Sequence, residues 1–154
     1  KRDMMKKQKI CLACSAGGHL TELMQLREAF EGHHHFIATF RREDTEKIQD
    51  RVYFLIDPKR NPLKVLVNII QSLWVVYKEM PTVVITTGAG VAVPICILSK
   101  LIGAKIIYIE SFARIYNKSL AGIILYPIAD LFFVQWKQLL NKYGDKAKYG
   151  GKVI

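Results

Sequence analysis

A chain of 154 residues, 51% hydrophobic and 23% charged, has the length of one domain and enough apolar side chains for a full core, which excludes a disordered chain. Its net charge of +10 suits an anionic partner (nucleic acid, anionic lipid or a phosphorylated substrate) or serves solubility alone. The basic start leads into an apolar segment with no spacer and no cleavage site, unlike a signal peptide.

Residues 1–8 read as a basic tail and 9–154 as a single domain. KICLAC is a buried strand; its Cys11 and Cys14 point to opposite faces and read as reduced, structural thiols rather than a redox pair. SAGGH follows, then a helix over 19–30 with Leu20, Leu23, Met24, Leu26 and Phe30 apolar. HHFIATF is a second strand; contiguous histidines His33 to His35 alternate in direction along it and cannot converge on one metal. REDTEKIQD is a short charged helix or loop, RVYFLI a third strand, and DPKRNP a turn. A long helix over 63–79 precedes the strand TVVITT, the loop GAG and a helix from about Ala92 to Leu101. AKIIYIE, a helix near Ser119 to Leu125 and the strand DLFFVQ complete the pattern, with Lys137, Lys142, Lys146, Lys148 and Lys152 clustering near the end. Apolar strands alternating with helices predict an α/β fold, a Rossmann-like doubly wound parallel sheet covered on both faces.

In the strand order 3-2-1-4-5-6, the ends of strands one and four open one crevice, which SAGGH and TTGAG both face. Glycine permits positive φ and close approach, so Ser15, Gly17, Gly18, Gly88 and Gly90 make a candidate phosphate site; a plain tight turn is the other reading. The dinucleotide fingerprint lacks its first and third glycines, and no Walker lysine is present. His19 is the candidate base: a helix N-terminus favours neutral imidazole, able to accept a proton from a sugar hydroxyl or to donate to a phosphate. Glu110, at the end of strand five, faces the crevice as a sugar ligand or base, or else pairs with Arg114. No basic–aromatic interleaving supports nucleic-acid binding.

Residues 63–79 carry more apolar surface than one sheet can cover, with only Lys64, Asn68, Gln71 and Lys78 on a polar strip. The stretch is too short to span a bilayer. Leu66, Ile70, Leu73, Trp74 and Tyr77 are therefore expected to face a membrane interface or a partner, the alternative being a helix buried on both sides.

SAGGHLTEL, TTGAGVAVPICILSKLIGAKIIYIESFARI, DLFFVQW and YGGKVI, in order between Ile10 and Ile154, resemble the acceptor-side subunit of the split UDP-N-acetylglucosamine transferase of the dolichol pathway. They equally resemble its bacterial counterparts in capsule and exopolysaccharide synthesis, and the N-terminal half of the peptidoglycan glycosyltransferase that makes lipid II. The resemblance implies the N-terminal half of a GT-B enzyme, peripheral on the cytoplasmic face of a membrane. It would bind a lipid-diphosphate-sugar acceptor, while a partner subunit binds the UDP-sugar. It also implies that Gly17, Gly18, His19, Gly88, Gly90, Glu110, Ser111 and Arg114 line the acceptor side, with no metal and no cofactor of its own. Eukaryotic members begin with a transmembrane anchor; the basic start here fits the bacterial or archaeal type. The end at GGKVI falls where a full GT-B enzyme enters its second domain, and Val153-Ile154 is expected to be buried. A stand-alone nucleotide- or phosphate-binding module is the rival from another class.

Overall fold

The computed structural model describes residues 8–152; the basic stretch before Gln8 and the terminal Val153-Ile154 lie outside them. The strands β1 (Lys9–Cys14), β2 (His34–Thr39), β3 (Val52–Phe54), β4 (Val83–Gly88), β5 (Lys105–Ile109), β6 (Leu131–Val134) and β7 (Ala147–Tyr149) form one sheet in the order β3-β2-β1-β4-β5-β6-β7. Every pairing is parallel. The expected order holds for six strands, and the short edge strand β7 extends it.

Strand alternation divides the core. Cys11 and Ala13 pack with Phe36, Val84, Ile106 and Tyr108 on one face, whereas Leu12 and Cys14 pack with Leu23, Phe30 and Ile37 on the other. The two thiols thus point to opposite faces. Burial pushes Cys14 up to about 12, so it stays protonated and unreactive at neutral pH.

The single helix expected over 19–30 is two: α1 (Gly18–Met24) and α2 (Arg27–Phe30). The chain tightens between them, Leu26 N donating to Leu23 O at 3.1 Å, and the bend carries Phe30 into the core. The charged stretch after β2 forms α3 (Glu43–Glu46). His33, His34 and His35 make no shared cluster: His33 Nδ1 accepts from Gln8 N, and His35 Nε2 lies 3.4 Å from Asp50. Among the described residues no group of three or more histidine, cysteine or carboxylate side chains gathers around a metal position.

Helix α4 (Pro62–Glu79) starts where Asn61 Oδ1 accepts from Leu63 N at 3.0 Å. It lies against the sheet with Asn68, Gln71 and Ser72 turned inward, while Lys78 stays exposed. Asn68 and Ser72 are buried; Asn68 Nδ2 donates to Ile56 O (2.8 Å) and Val91 O (3.2 Å), and Gln71 Oε1 accepts from Ile56 N (2.7 Å). Loop backbone that no strand can pair is satisfied by these side chains. Leu66, Ile70, Leu73, Trp74 and Tyr77 face outward, Tyr77 at 80% exposure. Burial on both sides of the helix is therefore excluded for this stripe. Among the described residues no helix is long and apolar enough to cross a membrane.

On the same face follow α5 (Val93–Leu101), preceded by a 3₁₀ turn at Gly90–Ala92, and α6 (Leu120–Leu125), capped by Ser119. A further 3₁₀ turn at Lys137–Leu139 leads into α7 (Leu140–Tyr143).

Candidate active site

A cavity of about 560 Å³ lies at the C-terminal ends of the strands. His19 forms part of one wall, and the loop carrying Ser111, Ala113 and Arg114 another. Asp57, Pro58, Lys59 and Arg60, from the loop between β3 and α4, make the rim. Apolar side chains at the starts of three helices (Val65, Val93, Pro94, Leu120, Ile124) close the rest.

His19 is held at both ends. Its Nδ1 lies 2.8 Å from the Thr87 carbonyl, and Thr87 Oγ1 donates back to the His19 carbonyl at 2.8 Å. A carbonyl can only accept, so Nδ1 carries the proton, and in the neutral ring Nε2 keeps its lone pair.

Glu110 corrects an expectation. It does not face the cavity but is fully buried, and it makes no ion pair with Arg114. Its carboxyl group accepts from Ser111 N (3.1 Å), Ser119 N (3.2 Å), Ser119 Oγ (2.9 Å), Tyr108 OH (3.3 Å) and the Tyr143 hydroxyl. Burial, then the Glu110 charge, pushes the Tyr108 hydroxyl well up, and Tyr143 shifts the same way. A second buried carboxyl group, Glu22, accepts from Ser111 Oγ, Phe112 N and Gln135 Nε2. Ser111 joins the two groups, so both serve to fix the loop that forms one cavity wall.

The glycines also divide. Gly90 lines the cavity beside Pro58, where an added Cβ would make an ordinary contact, 3.5 Å from Pro58 Cγ. Ser15, Gly17, Gly18 and Gly88 do not line it. One donor of the expected first phosphate loop is already taken: Gly17 N donates to Asp44 Oδ2 at 2.8 Å. The positive φ there belongs to Gly17 (80°), while Gly18 opens α1. Gly88 (φ 98°) is required by packing: a Cβ would sit 2.6 Å from the Tyr108 hydroxyl oxygen. Ser111 and Arg114 line the cavity as expected.

Sequence reading missed Asp57, Lys59, Arg60, Thr87 and Ser119. The signal for the first three was two basic residues directly ahead of a helix-capping Asn-Pro, at the end of a strand beside the crevice.

The all-parallel sheet in the order β3-β2-β1-β4-β5-β6-β7, with helices on both faces, defines a Rossmann-like domain. Its fold matches MurG of Acinetobacter baumannii (TM-score 0.78, 12% identity), over 96% of this chain and 46% of that one. It also matches UDP-N-acetylglucosamine 2-epimerase of Rickettsia bellii (TM-score 0.75, 14% identity), again over 96% and 46%. The chain thus spans less than half the length of these solved chains. Residues 59–153 match the family "Oligosaccharide biosynthesis protein Alg14 like", and the chain belongs to that family. Relatives include the human UDP-N-acetylglucosamine transferase subunit ALG14, 26% identical over 94% of this chain and 82% of that protein. The Schizosaccharomyces pombe subunit of the same name is 46% identical over 79 residues, 48% of this chain and 37% of that protein.

Proposed function

We propose that this chain is the acceptor-binding subunit of a two-subunit glycosyltransferase, moving a sugar from a UDP-sugar to a lipid-diphosphate-linked glycan. The observation that carries the reading is the orientation of His19 in a strand-end cavity, within a chain of the Alg14-like family. The acceptor hydroxyl lies in the cavity and attacks the anomeric carbon of a donor held by the partner subunit. His19 Nε2 takes the hydroxyl proton as the carbon–oxygen bond forms, and UDP leaves with the electrons of the bond it gives up. Glu110 and Glu22 act by holding the Ser111–Arg114 wall.

The outward apolar stripe of α4 supports docking on the cytoplasmic face of a membrane. Trp74 and Tyr77 would sit at headgroup level, with Lys64 and Lys78 beside them. The apolar cavity wall at Val65 belongs to the same helix, so an acceptor's lipid chain and its diphosphate have neighbouring surfaces to meet.

The test is reconstitution. The purified chain alone transfers no sugar to a short-chain isoprenyl-diphosphate sugar, and transfer begins when a donor-binding subunit is added. Steady turnover of UDP-sugar by the chain alone on that acceptor would sink the proposal.

A further inference from the structure

We propose that the loop Asp57–Arg60, and not the glycine turn before α1, grips the diphosphate of the acceptor, with Arg114 closing from the opposite wall.

The loop is strained and locked. Lys59 (φ 43°) and Arg60 (φ 61°) are consecutive residues with side chains in the left-handed region that favours glycine. Such conformations persist where the surroundings over-determine them, and they cluster at binding sites. Both ends of this loop are fixed. At its entry the Ile56 N–H and carbonyl are both held by α4, through Gln71 and Asn68. At its exit Asn61 N donates to Pro58 O at 2.8 Å while the Asn61 side chain caps α4. The inverted polar face of α4 thus has a use: it stitches this loop in place.

The charges point the same way. Lys59, Arg60 and Arg114 line the cavity against a single carboxylate, Asp57. Among the described residues none of the three cations has an ion-pair partner, whereas Arg41, Arg42 and Arg51 elsewhere each meet a carboxylate. The glycine turn does not line this cavity, and Asp44 takes its Gly17 N–H. A guanidinium pair with a lysine between walls suits the several oxygens of a diphosphate. That this diphosphate belongs to a lipid-linked acceptor rests on the function proposed above.

The experiment begins with inorganic pyrophosphate titrated calorimetrically into the full chain. Lys59→Gly and Arg60→Gly together, and Arg114→Gln separately, should each weaken binding about tenfold or more, the usual cost of losing a charge-assisted hydrogen bond. Lys142→Gln, outside the cavity, should not. The double glycine variant should also keep or raise its melting temperature, because glycine adopts these φ values freely. That pairing of firmer fold with weaker binding is not produced by a purely structural loop. Arg60→Gln provides a second variant in which the backbone is unchanged. Unaltered pyrophosphate affinity in the folded loop variants would overturn the proposal. The reconstituted complex then separates the sources of phosphate. The KM for a short-chain isoprenyl-diphosphate sugar should rise about tenfold while that for the UDP-sugar holds; the reverse would assign the cations to the nucleotide and overturn it. A wild-type complex that transfers nothing would count against the proposed function, and the pyrophosphate titration would still decide for or against the grip.

Discussion

Both ends of this sheet bury carboxyl groups, one at the first and two at the second, and they hold them by different means. At the N-terminal end Glu79, closing α4, lies 2.6 Å from Lys9 Nζ and 2.8 Å from Arg51, and accepts from the Tyr53 hydroxyl. At the C-terminal end Glu110 and Glu22 are held by hydroxyls, a side-chain amide and backbone N–H groups, with no cation within ion-pair distance among the described residues. One end cancels its charge internally. The other leaves Lys59, Arg60 and Arg114 unpaired beside the cavity. Both ends stabilise the fold, but only the second keeps cations available for an outside anion.

The largest expected effect tests the cavity end. His19→Ala in the reconstituted complex should lower kcat about 10²–10⁴-fold with the fold intact by circular dichroism. Wild-type turnover would remove the histidine from the chemistry. Next comes Glu110→Gln, which turns an amide NH₂ toward groups that all donate. A loss of about 2–4 kcal/mol in urea unfolding is expected, little changed by added salt because the partners are neutral. A loss that fades in 0.5 M salt would show that the two ends do not differ in kind.

Glu79 gives the smaller, pH-dependent effect. Burial alone would raise its carboxyl; hydrogen bonds from Lys9, Tyr53 and Arg51 outweigh this and bring it from 4.5 to about 2. A carboxyl group lowered on folding contributes stability above its unfolded value and loses it as pH falls, here between about 4.5 and 2. The contribution should be on the order of 1–3 kcal/mol, reduced because Lys9 and Arg51 are themselves partly exposed. Thermal melts across that window should show it, and Glu79→Gln should flatten it. The smallest effect on folding is expected of Trp74→Glu. At 54% exposure, with an edge contact to Tyr53, it should shift stability by no more than about 1 kcal/mol. Binding to anionic vesicles should nevertheless weaken several-fold; unchanged binding would remove α4 from the membrane contact.

Periodicity made the sheet legible. Short apolar runs such as KICLAC and TVVITT, each followed by a glycine turn, read as strands buried on both faces, and their alternation with helices leaves few strand orders. The position of His19 beside the cavity was legible because two glycines precede it at a strand end. Glu110 was not, since its donors come from positions 108, 111, 119 and 143, and only the folded chain brings them together. Lys59 and Arg60 were read as turn residues because composition says nothing of which way a turn leans. The use of Asn68 and Gln71 on α4 was not legible either, since it depends on the unpaired backbone of Ile56 and Val91, which only the folded chain brings beside them.

That inverted helix separates two properties that globular proteins usually tie together. Because α4 grips the body through Asn68, Ser72, Val75, Val76 and Glu79, its hydrocarbon side contributes little to holding the chain folded. Leu66, Ile70, Leu73 and Tyr77 can therefore be rewritten as glutamine, lysine or glutamate to give a version that stays dispersed at high concentration without detergent. The handling of this protein in water is thus an engineering variable, adjustable on one strip of one helix without touching its interior.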